Sequence, residues 1–195
     1  MTKQQDATWY DVIYDSKGGN NYALHYTCSP YYATWSVIAD RLMRYAEMDR
    51  VRVLDIGCGV GQFARLLQDK GFRNYTGIDF SGVAIAQARV RCQSFTFMQE
   101  DALTSGYVSD GFDVVTMLEF LEHIEGDIAV LKRIPAGTRV YATVPNFSYT
   151  SHVRYFADAG SVYSRYSALF TDINVSAIRL NSEGLMLFIF EGVRA

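Results

Sequence analysis

The segment Val53-Leu54-Asp55-Ile56-Gly57-Cys58-Gly59-Val60-Gly61-Gln62 joins an apolar run to a glycine-rich turn that opens onto a helical pattern. This join constrains the fold more than any other feature. Glycine at 57, 59 and 61 lets a ligand approach the backbone where a side chain would block it, and the helix beyond offers unpaired N–H groups. The pattern marks a nucleotide-type cofactor site. A tight strand-to-helix turn without a ligand uses the same glycines, so the other strand ends carry the decision.

From residue 50 onward, short β-branched or apolar runs alternate with helical patterns, which reads as βαβ units building a mostly parallel sheet. Strands are expected near 51–56, 74–79, 95–99, 112–117 and 138–144. A helix over 62–70 stops at Gly71, Ser81 caps a second, and Asp127 caps a short one over 128–133 that stops before Pro135. Two further strands, near 170–179 and 185–193, join through the turn chemistry of Asn181-Ser182-Glu183-Gly184. Ahead of the core, Ser29-Pro30 supplies a cap and first turn for a helix over 30–47, with Gly18-Gly19 as a flexible break before it. Disorder is expected only over 1–7. At 195 residues the chain has room for one α/β domain, read as an arm and lid helix over 1–49 and a core over 50–195.

The dinucleotide fingerprint needs glycine at 62, where Gln62 stands. Asp55 followed by G-x-G-x-G instead resembles motif I of the class I S-adenosylmethionine (SAM)-dependent methyltransferases. The resemblance covers roughly 50–195, with specific motifs in its first half only. It implies a single Rossmann-like three-layer domain, a seven-stranded, mostly parallel sheet ending in an antiparallel hairpin, and an N-terminal helical lid. It also implies SAM as cofactor and S-adenosylhomocysteine (SAH) as product. Asp55, Gly57, Cys58, Gly59 and Gly61 would then run along the amino-acid part of SAM. Asp79 would hold the ribose hydroxyls with Phe80 against the adenine, and Asp101 and Ala102 would meet the adenine edge. Asp79 as a helix N-terminal acid beside Ser81 is the plainer alternative. Leu118, closing the fourth strand, would lie beside the methyl group.

Beyond that strand runs Glu119-Phe120-Leu121-Glu122-His123. Methyl transfer from a sulfonium is an in-line displacement, so the enzyme aligns a nucleophile and helps remove its proton. His123 is the first candidate base, with Glu119, His152 and His25 beside it in the candidate catalytic set. The E-x-x-E-H pattern is similar to one in ubiquinone-biosynthesis O-methyltransferases and in small-RNA 3′-terminal 2′-O-methyltransferases, where it can hold a divalent metal. On a helix, Glu119, Glu122 and His123 would share a face, with His152 as a fourth ligand. Many small-molecule methyltransferases carry such a stretch without metal, so the expected site is metal-free.

Aromatic residues crowd two segments: Trp9, Tyr10, Tyr14, Tyr22, Tyr26, Tyr31, Tyr32 and Trp35, then Phe147, Tyr149, Tyr155, Phe156, Tyr163 and Tyr166. Together they can wall a pocket for a ring-bearing acceptor, pack the arm on the core, or form a homodimer surface. The stretch over 146–156 resembles the loop after the fifth strand in small bacterial methyltransferases of unassigned substrate, and Arg154 within it is a candidate reader of an acidic acceptor group.

Net charge −3 without a dense basic block gives no reason to expect a nucleic-acid partner. Cys28, Cys58 and Cys92 lack disulfide or zinc spacing and read as free thiols. The apolar run over 185–190 is far below the ~20 residues of a membrane span, and no signal pattern opens the chain, so a cytoplasmic location is expected. The reading that results is a methyltransferase acting on an oxygen, less readily a nitrogen, of a small molecule. RNA or protein as acceptor, and a SAM-binding protein without turnover, are the alternatives.

Overall fold

The computed structural model describes residues 3–15 and 21–195. The Gly18-Gly19 break expected from the sequence lies outside the described residues. Among these residues, seven strands, β1 (Arg52–Ile56), β2 (Asn74–Asp79), β3 (Thr96–Gln99), β4 (Val114–Met117), β5 (Arg139–Pro145), β6 (Asn174–Arg179) and β7 (Met186–Val193), form one sheet in the order β3-β2-β1-β4-β5-β7-β6. The first five are parallel, and β7 inserts antiparallel between β5 and β6. The chain therefore builds outward from β1 to β3, returns to β4, and builds the other way. That reversal leaves a crevice at the carboxyl ends of β1 and β4, where open α/β sheets bind ligands.

Among the described residues, six α-helices complete the layers: α1 (Ala7–Asp15), α2 (Tyr32–Tyr45), α3 (Gln62–Asp69), α4 (Gly82–Arg91), α5 (Asp127–Arg133) and α6 (Ala159–Tyr166). The period-2 alternation of the strands divides the core in two. Val53, Val114, Tyr141 and Ile189 face α2, α3 and α4, while Leu54, Val115, Val140 and Phe190 face α5 and α6. Both faces are apolar because both are covered. α3 ends as expected at Gly71, whose φ of 96° lets Phe72 N–H reach back to Leu67 O. Ser81 caps α4 by accepting from Ala84 N–H.

Several boundaries differ from expectation. α2 starts at Tyr32 rather than 30, because Ser29 spends its side chain on Tyr31 N–H and its carbonyl on Tyr32 N–H, making a separate turn. Moreover, α2 is a core helix: Trp35, Ile38, Ala39 and Leu42 are buried, so the helix that covers the site is α1. The disorder expected over 1–7 fails at Gln4, whose side chain accepts from Glu125 N–H. β6 begins at Asn174, four residues later than expected, and Phe170 makes only an isolated bridge to Arg194.

Asp127 is not the cap of α5; Gly126 holds that position. The Asp127 carboxylate, 1 % exposed, instead accepts two bonds from Arg165 at 2.7 and 2.8 Å and one from Tyr166 Oη at 2.9 Å. Arg154 lies 3.4 Å away and donates to the carbonyls of Leu121, Ile124 and Glu125. These guanidinium partners hold the Asp127 carboxyl below its ordinary range against the cost of burial. The cluster ties α5 and α6 to the turn after β4. Asp127→Ala strands the Arg154 charge and is expected to cost about 3 kcal/mol, the low end for a broken buried pair because Arg165 is partly exposed. Urea unfolding measures it, and a loss below about 0.5 kcal/mol would show that the pair contributes no more than a surface bridge.

Candidate active site

A cavity of about 1170 Å³ lies along the carboxyl ends of β1, β2 and β4. Its floor is the glycine turn and the strand-end acids; its roof is α1 with residues of 21–31. Asp55 sits at the bottom, 3 % exposed, with Oδ2 accepting from Tyr75 Oη at 2.5 Å and Oδ1 from Thr116 Oγ1 at 2.7 Å. Burial pushes its carboxyl up to about 6 despite those two donors. Gly57, Gly59 and Gly61 all have positive φ, as the turn requires. Gly57, Cys58 and Gly59 line the cavity, whereas Gly61 faces away from it and lets α3 close on Ala88 of α4, 3.1 Å from where its Cβ would stand.

Gln62, where a dinucleotide motif has glycine, is buried and donates its amide to the carbonyls of Asn21 and Leu24, both at 2.9 Å. It fastens the arm to the turn. Arg91 does the same from α4, donating to Val60 O and Tyr22 O. Asp79 is 7 % exposed and accepts from Gly59 N–H at 3.0 Å on Oδ2 and from Ser81 N–H at 2.9 Å on Oδ1. Burial raises its carboxyl to about 6 as well. Phe80, Asp101 and Ala102 border the same end, with Asp101 also accepting from Leu103 N–H.

At the end of β4, Leu118 and Glu119 line the cavity. Glu119 is the one non-glycine residue with positive φ, 50°, among those described. Its carboxylate accepts from Trp35 Nε1 at 3.0 Å and from Thr143 Oγ1 at 2.9 Å, and burial pushes it up to about 7. Glu119 therefore struts α2 against β5 and does not join Glu122. The helix on which those residues were to share a face is absent, because 121–123 form a turn closed by His123 N–H on Phe120 O.

That turn brings together Glu122, His123 and His152, whose ligand atoms lie within 4.8 Å of one another. His123 places Nδ1 3.2 Å from Ser151 O, and His152 places Nδ1 3.1 Å from Phe147 O. A carbonyl only accepts, so each Nδ1 carries the hydrogen and each Nε2 is the basic nitrogen. Burial and the neighbouring His152 lower His123 to about 3, and burial lowers His152, so both rings are neutral. Glu122 is 1 % exposed, its Oε2 has no hydrogen-bond partner among the described residues, and burial raises it well above the carboxylate range. Two neutral imidazoles, each oriented by a carbonyl, and one orphaned carboxylate fit a divalent cation.

His25 does not reach the site: it is exposed, caps a short turn and contacts Tyr26 on the outside. Arg154 does not face an acceptor either, being spent on the carbonyls of 121–125 and on Asp127. Of the aromatic residues, Trp9, Tyr10, Tyr14, Tyr22, Tyr31, Trp35, Phe147 and Tyr149 line the cavity. Tyr26 bonds Asp69, Phe156 and Tyr166 fill the core, and Tyr32, Tyr155 and Tyr163 are exposed.

A family model described as a methyltransferase domain matches residues 32–170. The ubiquinone biosynthesis O-methyltransferase of Pseudomonas aeruginosa (strain UCBPP-PA14) is 31% identical over 121 residues, 57% of this chain and 51% of that protein. The chain spans about half the length of the curated relatives it matches. Magnesium protoporphyrin IX methyltransferase from Synechocystis PCC 6803, solved with bound SAM, superposes with a TM-score of 0.71 at 18% identity over 100% of both chains. The [4+2]-cyclase SpnF superposes with a TM-score of 0.72 at 17% identity, covering 99% of this chain and 96% of that one. At such identities the superpositions show the fold alone. Among the described residues, no helix is long and apolar enough to cross a membrane. The chain belongs to the methyltransferase-domain family and is a class I SAM-dependent member of it.

Proposed function

We propose that the protein moves the methyl group of SAM to a hydroxyl oxygen, or less readily a nitrogen, of a small ring-bearing acceptor. One observation carries this reading: neutral His123 and His152 stand side by side at the β4 end of a cavity walled by aromatic rings, 4.9 Å between ring centroids. Asp55, Gly57, Cys58 and Gly59 take the amino-acid end of the cofactor. Each Asp79 oxygen has one N–H partner and keeps a lone pair for a ribose hydroxyl, while Phe80, Asp101 and Ala102 border the adenine and Leu118 the methyl. Tyr22, Tyr31, Trp35, Phe147 and Tyr149 hold the acceptor ring.

No Arg or Lys is among the described residues that line the cavity, whereas Asp55, Asp79, Glu100, Asp101, Glu119 and Glu122 are. Such walls offer no cation to pair an acceptor's phosphate or carboxylate and suit neutral or amine-bearing compounds. The acceptor is therefore an uncharged or amine-bearing ring compound, and the same argument counts against RNA. In the reaction the acceptor oxygen attacks the methyl carbon, the C–S bond breaks, and sulfur leaves with the electron pair as SAH. The acceptor proton becomes strongly acidic as the O–C bond forms, so even the depressed basicity of His123 Nε2 suffices to take it.

The orphaned Glu122 Oε2 favours a second reading, in which Glu122, His123 and His152 hold a divalent cation that would polarise the acceptor hydroxyl. Calorimetric titration with Mn²⁺ separates the two. Saturable binding lost in Glu122→Gln supports the metal-assisted form, and no binding supports proton transfer to His123 alone.

Incubation with methyl-labelled SAM and phenols matched in shape but bearing neutral, amine or carboxylate substituents tests the substrate class. Label is expected on the neutral and amine compounds; label on RNA alone, or on the carboxylates first, would overturn it. SAH affinity should be flat above pH 7 and fall by about tenfold per unit below pH 6, because the ribose hydroxyls need ionised Asp79. Asp55 titrates in the same range and Asp11 adds repulsion, so Asp79→Asn is the control. It is expected to lose about 100-fold in affinity at pH 8, roughly two hydrogen bonds, and to flatten the profile; an unchanged profile would mean that Asp79 is not the ribose acid.

A further inference from the structure

The roof of the cavity docks on α4 and on the turn after β4. α1 has 9 residues, fewer than the ~12 at which an isolated helix becomes even marginally stable, and none of them is buried. It is helical because it is docked. Trp9, Tyr10, Ile13 and Tyr14 occupy one face and line the cavity, while Asp11 lies outside that lining. Asp11 Oδ1 accepts from Ser81 Oγ at 2.5 Å and Val83 N–H at 3.3 Å, in the first turn of α4, where a carboxylate is favoured. Gln87 donates to Tyr14 O at 2.9 Å one turn further along.

Ser81 is shared. Its N–H donates to Asp79, which carries the ribose in the reading above, and its hydroxyl donates to Asp11 of the roof. We infer that Asp11 is a positioning residue that latches α1 over the bound cofactor through Ser81, so that cofactor release requires this contact to open. The latch brings Tyr10 within 5.3 Å of Phe80 and 5.9 Å of His123, between centroids, spanning both ends of the cofactor groove. Asp11 takes no part in methyl transfer; it sets how long the cofactor stays.

The test compares SAH binding by the full chain, by Asp11→Ala and by Asp11→Asn, with dissociation rates from stopped-flow fluorescence and ligand-free stability from urea unfolding. Asp11→Ala is expected to speed SAH dissociation and weaken its Kd by about tenfold, about 1.4 kcal/mol, with a ligand-free destabilisation well below that. Asp11→Asn keeps an oxygen acceptor for Ser81 and recovers part of that loss. Dissociation within about twofold of the unsubstituted chain would overturn the latch, as would a ligand-free destabilisation equal to the lost binding energy. No SAH binding by the unsubstituted chain would sink the cofactor assignment and the latch together.

Discussion

Carboxylates buried at the carboxyl edge of the sheet set the terms for everything around them. Asp55, Asp79, Glu119 and Glu122 are all pushed up by burial, which means that ionising each one costs free energy in this environment. Neutral donors offset part of that cost: Tyr75 and Thr116 for Asp55, backbone N–H groups for Asp79, Trp35 and Thr143 for Glu119. Across the sheet, Asp127 shows the other solution. Two guanidinium groups lower it, and the resulting cluster fastens α5, α6 and the turn after β4. The same fold uses charge pairing where it needs fixity and neutral donors where it leaves room for a ligand.

The parts of this arrangement that lie within short stretches of chain were legible in the sequence. β2 was placed at its observed bounds, and the other parallel strands within two residues, because alternation and turn residues are local. The hairpin from β6 to β7 was legible from Asn181, whose side chain accepts from Glu183 and Leu185 N–H, and from Gly184 at φ 90°. The strand-end acids were legible too, since the position of an acid at the end of a strand in an open α/β sheet is fixed once the strand is placed.

What depended on distant partners was not legible. Asp127 looks like a cap because an acid before a helical run normally is one, and nothing in the sequence shows Arg165 returning 38 residues later. Arg154 read as a substrate group for the same reason; its actual partners are carbonyls, which every residue offers. The E-x-x-E-H residues would share a face only on a helix, which this stretch does not form, and the positive φ at Glu119 turns that side chain toward Trp35 instead of Glu122. Gln62 read as a departure from a dinucleotide motif. Its amide in fact clamps two carbonyls of the arm, so the same substitution removes a glycine and attaches a roof.

An acid-rich cavity carries a consequence for turnover. SAM enters with a positive sulfonium and leaves as an uncharged thioether, so walls without cations favour the substrate form over the product and ease release of SAH. Too much negative charge beside the sulfur would also hold the ground state more tightly than the transition state, where the positive charge is already dispersing. Burial limits this by pushing Glu119 up to about 7 and Glu122 well above the ordinary carboxylate range, so that both favour the protonated form more than a free carboxyl does. Asp55 and Asp79 are raised less, each to about 6, and are ionised in larger part at neutral pH than Glu119. With the cofactor bound as proposed, charge would fall from the acids beside its amino-acid and ribose groups to those beside its methyl group, a distribution that suits both binding and transfer of a sulfonium.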